Sequence, residues 1–149
     1  MAGSASAVGV VLVTHGQLAA ELLNAAEMIV GEALPRFAAV SIGWHDDVAN
    51  AHEAIARAIT KVDGGGGVLI LTDMFGGTPS NLGLACLEAG RVEVATGVNL
   101  PMLIKLARAS DEADVLALAR TICEHGRAAI RVASDLLRSD REAESRAAE

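Results

Sequence analysis

Residues 10–16 of the chain are Val10-Val11-Leu12-Val13-Thr14-His15-Gly16, and this stretch predicts both the fold class and the position of a functional site. Four consecutive apolar residues, three of them β-branched, are typical of a buried strand. A helical pattern follows, with apolar residues at Leu18, Leu22, Ala25, Ala26 and Ile29. A histidine therefore lies where a buried strand turns into a helix. In open α/β sheets, this carboxyl end of a strand is where ligands bind.

The bulk composition predicts one domain that spans residues 1–149. The chain is 52% hydrophobic, which is enough to bury a full core. We expect flexible tails at residues 1–7 and 140–149, because both are small or charged and lack a core face. No apolar run reaches the roughly 18–20 residues that span a bilayer, and no basic signal-peptide region is present, so we expect a cytoplasmic protein without direct membrane insertion. The net charge of −7 argues against a nucleic-acid partner.

Strand and helix patterns alternate along the chain. We predict strands over residues 8–13, 37–43, 68–72 and 92–96. We predict one helix over residues 17–30, a second from Asp46-Asp47 to about 62, and a third from Thr78 or Ser80 to about 88. Residues 97–101 lead into a fourth helix that runs through 108, and a fifth begins at Ser110-Asp111 and ends near Gly126. Residues 128–132 fit either a fifth strand or a resumed helix. This alternation predicts an α/β fold with a mostly parallel sheet of four to five strands.

His15 and Asp73 are the candidate catalytic residues. Both follow predicted buried strands, and in a parallel sheet such positions share one edge. If the sheet reverses its winding between the first and third strands, the two residues face each other across a crevice. Neutral histidine is a nucleophile near neutral pH. A carboxylate on one ring nitrogen fixes the tautomer, leaves the other nitrogen free to attack, and stabilises the cation that forms.

Neighbouring residues could bind an anion such as phosphate. The candidate donors are the hydroxyl groups of Thr14, Thr78 and Ser80 and the backbone N–H groups of Gly16, Gly76 and Gly77. Each feature has a plainer interpretation: a histidine or aspartate that caps a helix, or a glycine pair in a tight turn. Their occurrence together at two strand ends favours the functional interpretation.

The remaining chemistry-bearing residues carry less information. His45 and Asp46 lie at the same predicted edge, but no ligand pair has zinc spacing, so we predict neither a metal nor a cofactor. His52 and His125 fall in helical patterns and are interpreted as surface residues. Trp44, the single tryptophan, suits either packing or contact with a partner. Cys86 and Cys123 lack CxxC spacing and are interpreted as structural thiols.

Three motifs support a family assignment. Residues 11–16 with the helix after them, residues 71–81 and residues 97–102 occur in an order that resembles the mannose-family enzyme IIA domain. This domain belongs to the bacterial phosphoenolpyruvate-dependent sugar phosphotransferase system. The loop of residues 43–46 is not part of the resemblance.

The resemblance implies a phosphotransferase component with a phosphohistidine intermediate. It implies that His15 accepts the phosphoryl group, that Asp73 orients it, and that the histidine phosphocarrier protein is the donor. The acceptor would be a IIB component for sugar uptake; alternatively, the phosphorylation state of His15 would control a regulatory partner. The resemblance also implies a doubly wound sheet with helices on both faces. It further implies a homodimer that exchanges a C-terminal strand, which would be residues 128–132.

Overall fold

Four parallel strands form one sheet in the order β2-β1-β3-β4 in the computed structural model, which describes residues 7–109 and 114–148. Their bounds are β1 (Gly9–His15), β2 (Phe37–Ile42), β3 (Val68–Thr72) and β4 (Val92–Thr96). All three strand pairs are parallel. The predicted strands are therefore confirmed, with ends shifted by one or two residues.

The winding of the sheet reverses between β1 and β3, which are direct neighbours. Val13 pairs with Thr72, and on the other side His15 pairs with Ile42. The chain after β1 is thus flanked by the chain after β2 and the chain after β3. This arrangement confirms the doubly wound α/β fold and brings the segments after β1, β2 and β3 together at the carboxyl edge.

Helices cover both faces of the sheet, except for the last helix, which has no buried side chain. Their bounds are α1 (Leu18–Val30), α2 (Val48–Val62), α3 (Thr78–Leu84), α4 (Leu100–Ala107), α5 (Val115–Ala128) and α6 (Ala133–Ala147). Val10 and Leu12 of β1 pack in the core under α1, α4 and α5, while Val11 and Val13 pack in the core under α2 and α3. Alternate residues of one strand thus serve two cores, which explains why the strands are continuous apolar runs.

Helix ends account for most differences from the predicted elements. Asp47 caps α2 through Ala49 N–H, as predicted. Neither Thr78 nor Ser80 caps α3, because Gly77 occupies the N-cap position. That helix ends at Leu84 and not near residue 88, where Glu88 N–H bonds to Val92 O and turns the chain into β4. The predicted Ser110-Asp111 cap lies outside the described residues, and Asp114 caps α5.

Gly126 lies within α5, which ends at Ala128, two residues after the glycine near which the helix end was predicted. An ideal Cβ at Gly126 would lie 2.6 Å from Met102 Sδ. Asn99 caps α4 through Met102 N–H and donates its amide N–H to Gly126 O at 3.0 Å. A side chain at position 126 would therefore have to displace the side chain of Met102, which lies between α4 and α5.

The C-terminal segment is neither the predicted fifth strand nor an uninterrupted helix. Residues 129–132 lack regular structure, and α6 then continues to Ala147. The sequence predicted a tail without a fixed fold over residues 140–149, whereas helix reaches residue 147, because Ala, Glu and Arg favour helix. No side chain of α6 is buried, and its flexibility stays a prediction. Among the described helices, none has the length and apolar character needed to cross a bilayer.

Candidate active site

His15 and Asp73 meet at the carboxyl edge of the sheet. His15 is the last residue of β1, and Asp73 directly follows the neighbouring strand β3. His15 Nδ1 lies 2.8 Å from Asp73 Oδ2, and the same oxygen accepts the backbone N–H of His15 at 3.1 Å. One carboxylate oxygen therefore fixes both the backbone and the ring of the histidine. The predicted juxtaposition of the two residues is present in the structure.

The environment of Asp73 favours its ionised form. Burial raises the pKa of this carboxyl group, but the hydrogen bonds and charge of His15 and the N–H of Met74 lower that pKa by more in sum. Met74 N–H reaches the second oxygen, Oδ1, at 3.0 Å. The net pKa lies below the ordinary value of an aspartate, so Asp73 is negatively charged at neutral pH.

An ionised Asp73 determines the tautomer of a neutral His15 ring. A carboxylate only accepts hydrogen bonds, so Nδ1 carries the proton and donates it to Oδ2. Nε2 is then left with a free electron pair. The side chain of His15 is 51% exposed, whereas that of Asp73 is only 14% exposed. The nucleophilic nitrogen of His15 thus lies on the more exposed side chain, and the carboxylate that orients the ring is largely buried.

Gly77 lies against the exposed edge of the imidazole. An ideal Cβ at this position would lie 2.7 Å from His15 Cε1 and 3.0 Å from Nε2. Gly77 has φ −100° and ψ 175°, a conformation open to any residue, so the requirement for glycine is one of space. The contact also explains why the helix cap at this position has no side chain. Sequence reasoning predicted Gly77 as an anion binder and missed its steric role.

The candidate anion-binding residues separate into two groups. Gly76, Gly77 and Thr78 lead from the loop after β3 into the first residue of α3, and Gly77 lies beside the ring. Gly76 has a φ of +92°, which favours glycine. Thr14, Gly16 and Ser80 are not free to face a ligand beside Nε2, as the following contacts show.

Thr14 is fully buried, and its Oγ1 accepts the N–H of Ala19 at 2.7 Å while donating to His15 O. The N–H of Gly16 donates to Ile42 O at 2.9 Å. Ser80 is fully buried in α3, and its hydroxyl has no hydrogen-bond partner among the described residues. The predicted phosphate-binding role of these three groups is therefore corrected: Thr14 and Gly16 stabilise the start of α1 and the sheet edge, and Ser80 lies in the core.

None of the other three histidines pairs with a carboxylate among the described residues. His45 is exposed in the loop after β2, and His52 and His125 are exposed on α2 and α5, as predicted. Within residues 7–109 and 114–148, no group of three or more His, Cys, Asp or Glu side chains could hold a metal ion. Cys86 and Cys123 are both free and half-buried, and burial raises the pKa of the Cys86 thiol.

Comparison with known proteins gives a consistent result. The family described as "PTS system fructose IIA component", or EIIA-man, matches residues 9–123. The mannose-specific EIIAB component of Escherichia coli K12 is 36% identical over 111 residues, which are 70% of this chain but only 32% of that protein. The chain thus spans about a third of this relative.

Two further relatives match over most of their length. The fructose-specific EIIA component of Bacillus subtilis 168 is 31% identical over 100 residues, which cover 66% of this chain and 68% of that protein. The solved structure of a mannose/sorbose-specific IIA subunit of the phosphotransferase system from Enterococcus faecalis superposes with a TM-score of 0.74 at 27% identity. That superposition covers 85% of this chain and 94% of the other.

The contact between Gly77 and the ring gives the first prediction. In Gly77→Ala the new methyl group must displace the imidazole, so we expect the hydrogen bond between His15 Nδ1 and Asp73 to lengthen or break. Ring 15N chemical shifts of His15 measure this change. Gly64→Ala is the matched control, because its nearest contact is Ala7 O at 3.7 Å and its backbone needs no positive φ. Identical His15 shifts in Gly77→Ala and wild type would contradict the steric role.

Proposed function

The chain belongs to the EIIA-man family of IIA components of the phosphotransferase system, and from this premise we propose that His15 Nε2 carries a phosphoryl group between two proteins. Members of this family take part in phosphoryl transfer during sugar uptake. The observation that carries the proposal is the 2.8 Å contact between His15 Nδ1 and the Asp73 carboxylate, which leaves Nε2 free and exposed.

The proposed reaction moves a phosphoryl group from a phosphohistidine on the donor to His15. The electron pair of Nε2 forms the new N–P bond in line with the bond that breaks. The electrons of the broken N–P bond return to the donor's ring nitrogen. His15 acquires positive charge in this step, and the carboxylate of Asp73 stabilises it through Nδ1–H.

Residues 76–78 are the proposed binding site for the transferred phosphoryl group. Gly77 lies beside Nε2, and Gly76 and Thr78 are its exposed neighbours. Their backbone N–H groups and the Thr78 hydroxyl can donate hydrogen bonds to the negatively charged phosphoryl oxygens, and this stabilisation needs no metal ion. Gly76, Gly77 and Thr78 are therefore the proposed phosphate ligands.

The proposed donor is the histidine phosphocarrier protein. The proposed acceptor is a IIB component that passes the phosphoryl group on to a sugar permease. We propose that both transfers to and from His15 take place in the cytoplasm. The matched E. coli relative is named as an EIIAB component, so in that protein a IIB part accompanies the IIA part. A regulatory partner is the alternative acceptor. Transfer of label from the phosphorylated protein to one discrete second protein of an extract supports the IIB role; retention of the label supports the regulatory role.

We also propose that the protein works as a homodimer. β4 is the last strand of the sheet order, and beside it a groove of about 300 Å³ runs against α5, lined in part by Val94, Leu116 and Cys123. Ile130 and Val132, which follow α5, are exposed in the single chain. Placing residues 129–132 of one subunit along β4 of its partner would bury them and complete the sheet edge.

The phosphorylation site is tested by substitution of each histidine. His15→Ala should abolish labelling by phosphoenolpyruvate and the general phosphotransferase components, because among the described residues no other ring nitrogen is held by a carboxylate in this way. His45→Ala, His52→Ala and His125→Ala are the matched controls and should be labelled like wild type. Normal labelling of a folded His15→Ala protein would refute the site.

The role of Asp73 is tested by Asp73→Asn, which keeps the size of the side chain but removes its charge. An asparagine amide also donates to the ring and selects the wrong tautomer. In serine proteases such a change lowers turnover about ten-thousandfold. For this more exposed site we expect a transfer rate lower by roughly ten- to a thousandfold, or about 1.4–4 kcal/mol.

Rapid-quench transfer from the phosphorylated donor measures the effect of Asp73→Asn, and thermal melting controls for folding. Equal rates in the variant and wild type would reduce Asp73 to a loop residue.

The dimer is tested by Ile130→Asp, which places a charge on a side chain that is exposed in the single chain. We expect the wild type to have twice the monomer mass in light scattering and the variant to dissociate. Met28→Asp, on another exposed apolar residue, is the control and should remain dimeric. A dimer of unchanged affinity in Ile130→Asp would exclude this segment from the interface.

A further inference from the structure

The few aromatic residues of the chain are distributed unevenly. There are two phenylalanines, one tryptophan and no tyrosine. Phe37 is buried in the core, but Phe75 is 72% exposed and Trp44 is 100% exposed. Trp44 follows β2 and Phe75 follows β3, the two strands that flank β1 and His15. Both exposed aromatic side chains of the described residues therefore lie on loops beside the nucleophile.

The loop that carries Trp44 has a defined conformation. At its start, Ile42 O accepts the N–H of Gly16, the residue after His15. Gly43 N–H then donates to the Asp46 carboxylate, and Asp47 caps α2 through Ala49 N–H at 3.1 Å. Hydrogen bonds thus fix the backbone on both sides of Trp44, while its indole ring is not packed against the protein core. A fully exposed indole gains no burial energy in the single chain, so its apolar surface is available for contact with a partner.

The charged side chains of the four loops at this edge have one sign. The loops of residues 15–18, 43–48, 73–78 and 97–100 contain no lysine or arginine. They contain three carboxylates, those of Asp46, Asp47 and Asp73. The loops around His15 are therefore apolar and acidic, and their complement is a surface that is apolar and basic.

We infer that Trp44 and Phe75 form the docking surface for the phosphoryl donor, a protein that presents phosphohistidine on an apolar and basic face. This inference rests on the proposed transfer to His15. A donor brings a negatively charged phosphoryl group toward three carboxylates, and that repulsion must be offset by other contacts. Burial of the two aromatic rings is independent of charge, and tryptophan is typical of residues that dominate interface energetics. An acceptor, by contrast, meets a face that already holds the phosphoryl charge and can be attracted by it.

The test separates docking from chemistry. We expect Trp44→Ala to raise the KM for the phosphorylated phosphocarrier protein by about tenfold or more, with a much smaller change in kcat. Trp44→Phe keeps an aromatic ring and should restore most of the lost affinity. Met28→Ala is the matched control, because Met28 is 82% exposed on the last turn of α1, and its KM should equal that of wild type. Melting temperatures check that each variant is folded.

Trp44 also reports directly on docking, since it is the single tryptophan of the chain. Its fluorescence should shift to shorter wavelength when the unphosphorylated donor is titrated in, and Trp44→Phe provides the blank for the donor's own emission. An unchanged KM in Trp44→Ala would overturn the inference, as would an effect confined to transfer from phosphorylated His15 to the acceptor.

Failure of the proposed function has a different signature from failure of this inference. If the proposed function is wrong, the donor will not label even the wild-type protein at His15. Incubation with the small phosphodonor phosphoramidate then shows whether the ring can be phosphorylated at all.

Discussion

The hydrogen bond between His15 Nδ1 and the Asp73 carboxylate is the interaction on which the account of this protein depends. It joins two residues that are 58 positions apart in sequence and lie at the ends of adjacent strands of the sheet. The sheet order makes the contact possible, because its winding reverses at these two strands. The largely buried carboxylate of Asp73 supplies a fixed negative charge, and the more exposed ring of His15 supplies an accessible nucleophile.

The same bond links the site to the stability of the fold. The pKa of Asp73 is lowered in the folded protein despite the opposing effect of burial. Its ionised form therefore contributes stability that is present above the unfolded pKa of the carboxyl group and is lost as the pH falls through the folded pKa. Acid thus weakens the fold and the orientation of His15 together. At neutral pH the carboxylate remains charged, so the ring keeps the tautomer that exposes Nε2.

The sequence predicts the strands and the His15–Asp73 pair because both depend on strong local signals, namely buried apolar runs and the polar residues directly after them. It does not predict which neighbours face the ligand. Both faces of the sheet are buried, so alternation along β1 cannot show that Thr14 points into the core, where it bonds to Ala19 N–H. The steric role of Gly77 and the close approach of Gly126 to Met102 depend on contacts across the fold. Residues 129–132 carry too few local signals to determine their structure in a single chain.

The position of the proton and of the phosphoryl group on the His15 ring tests the central claim most directly. Long-range 1H–15N spectra of the 15N-labelled protein distinguish the two ring nitrogens before and after phosphorylation. The account predicts a proton on Nδ1 and a free electron pair on Nε2 in the neutral ring. After phosphorylation it predicts 31P–15N coupling at Nε2. A proton on Nε2 in the unmodified ring, or phosphorylation of Nδ1, would contradict it.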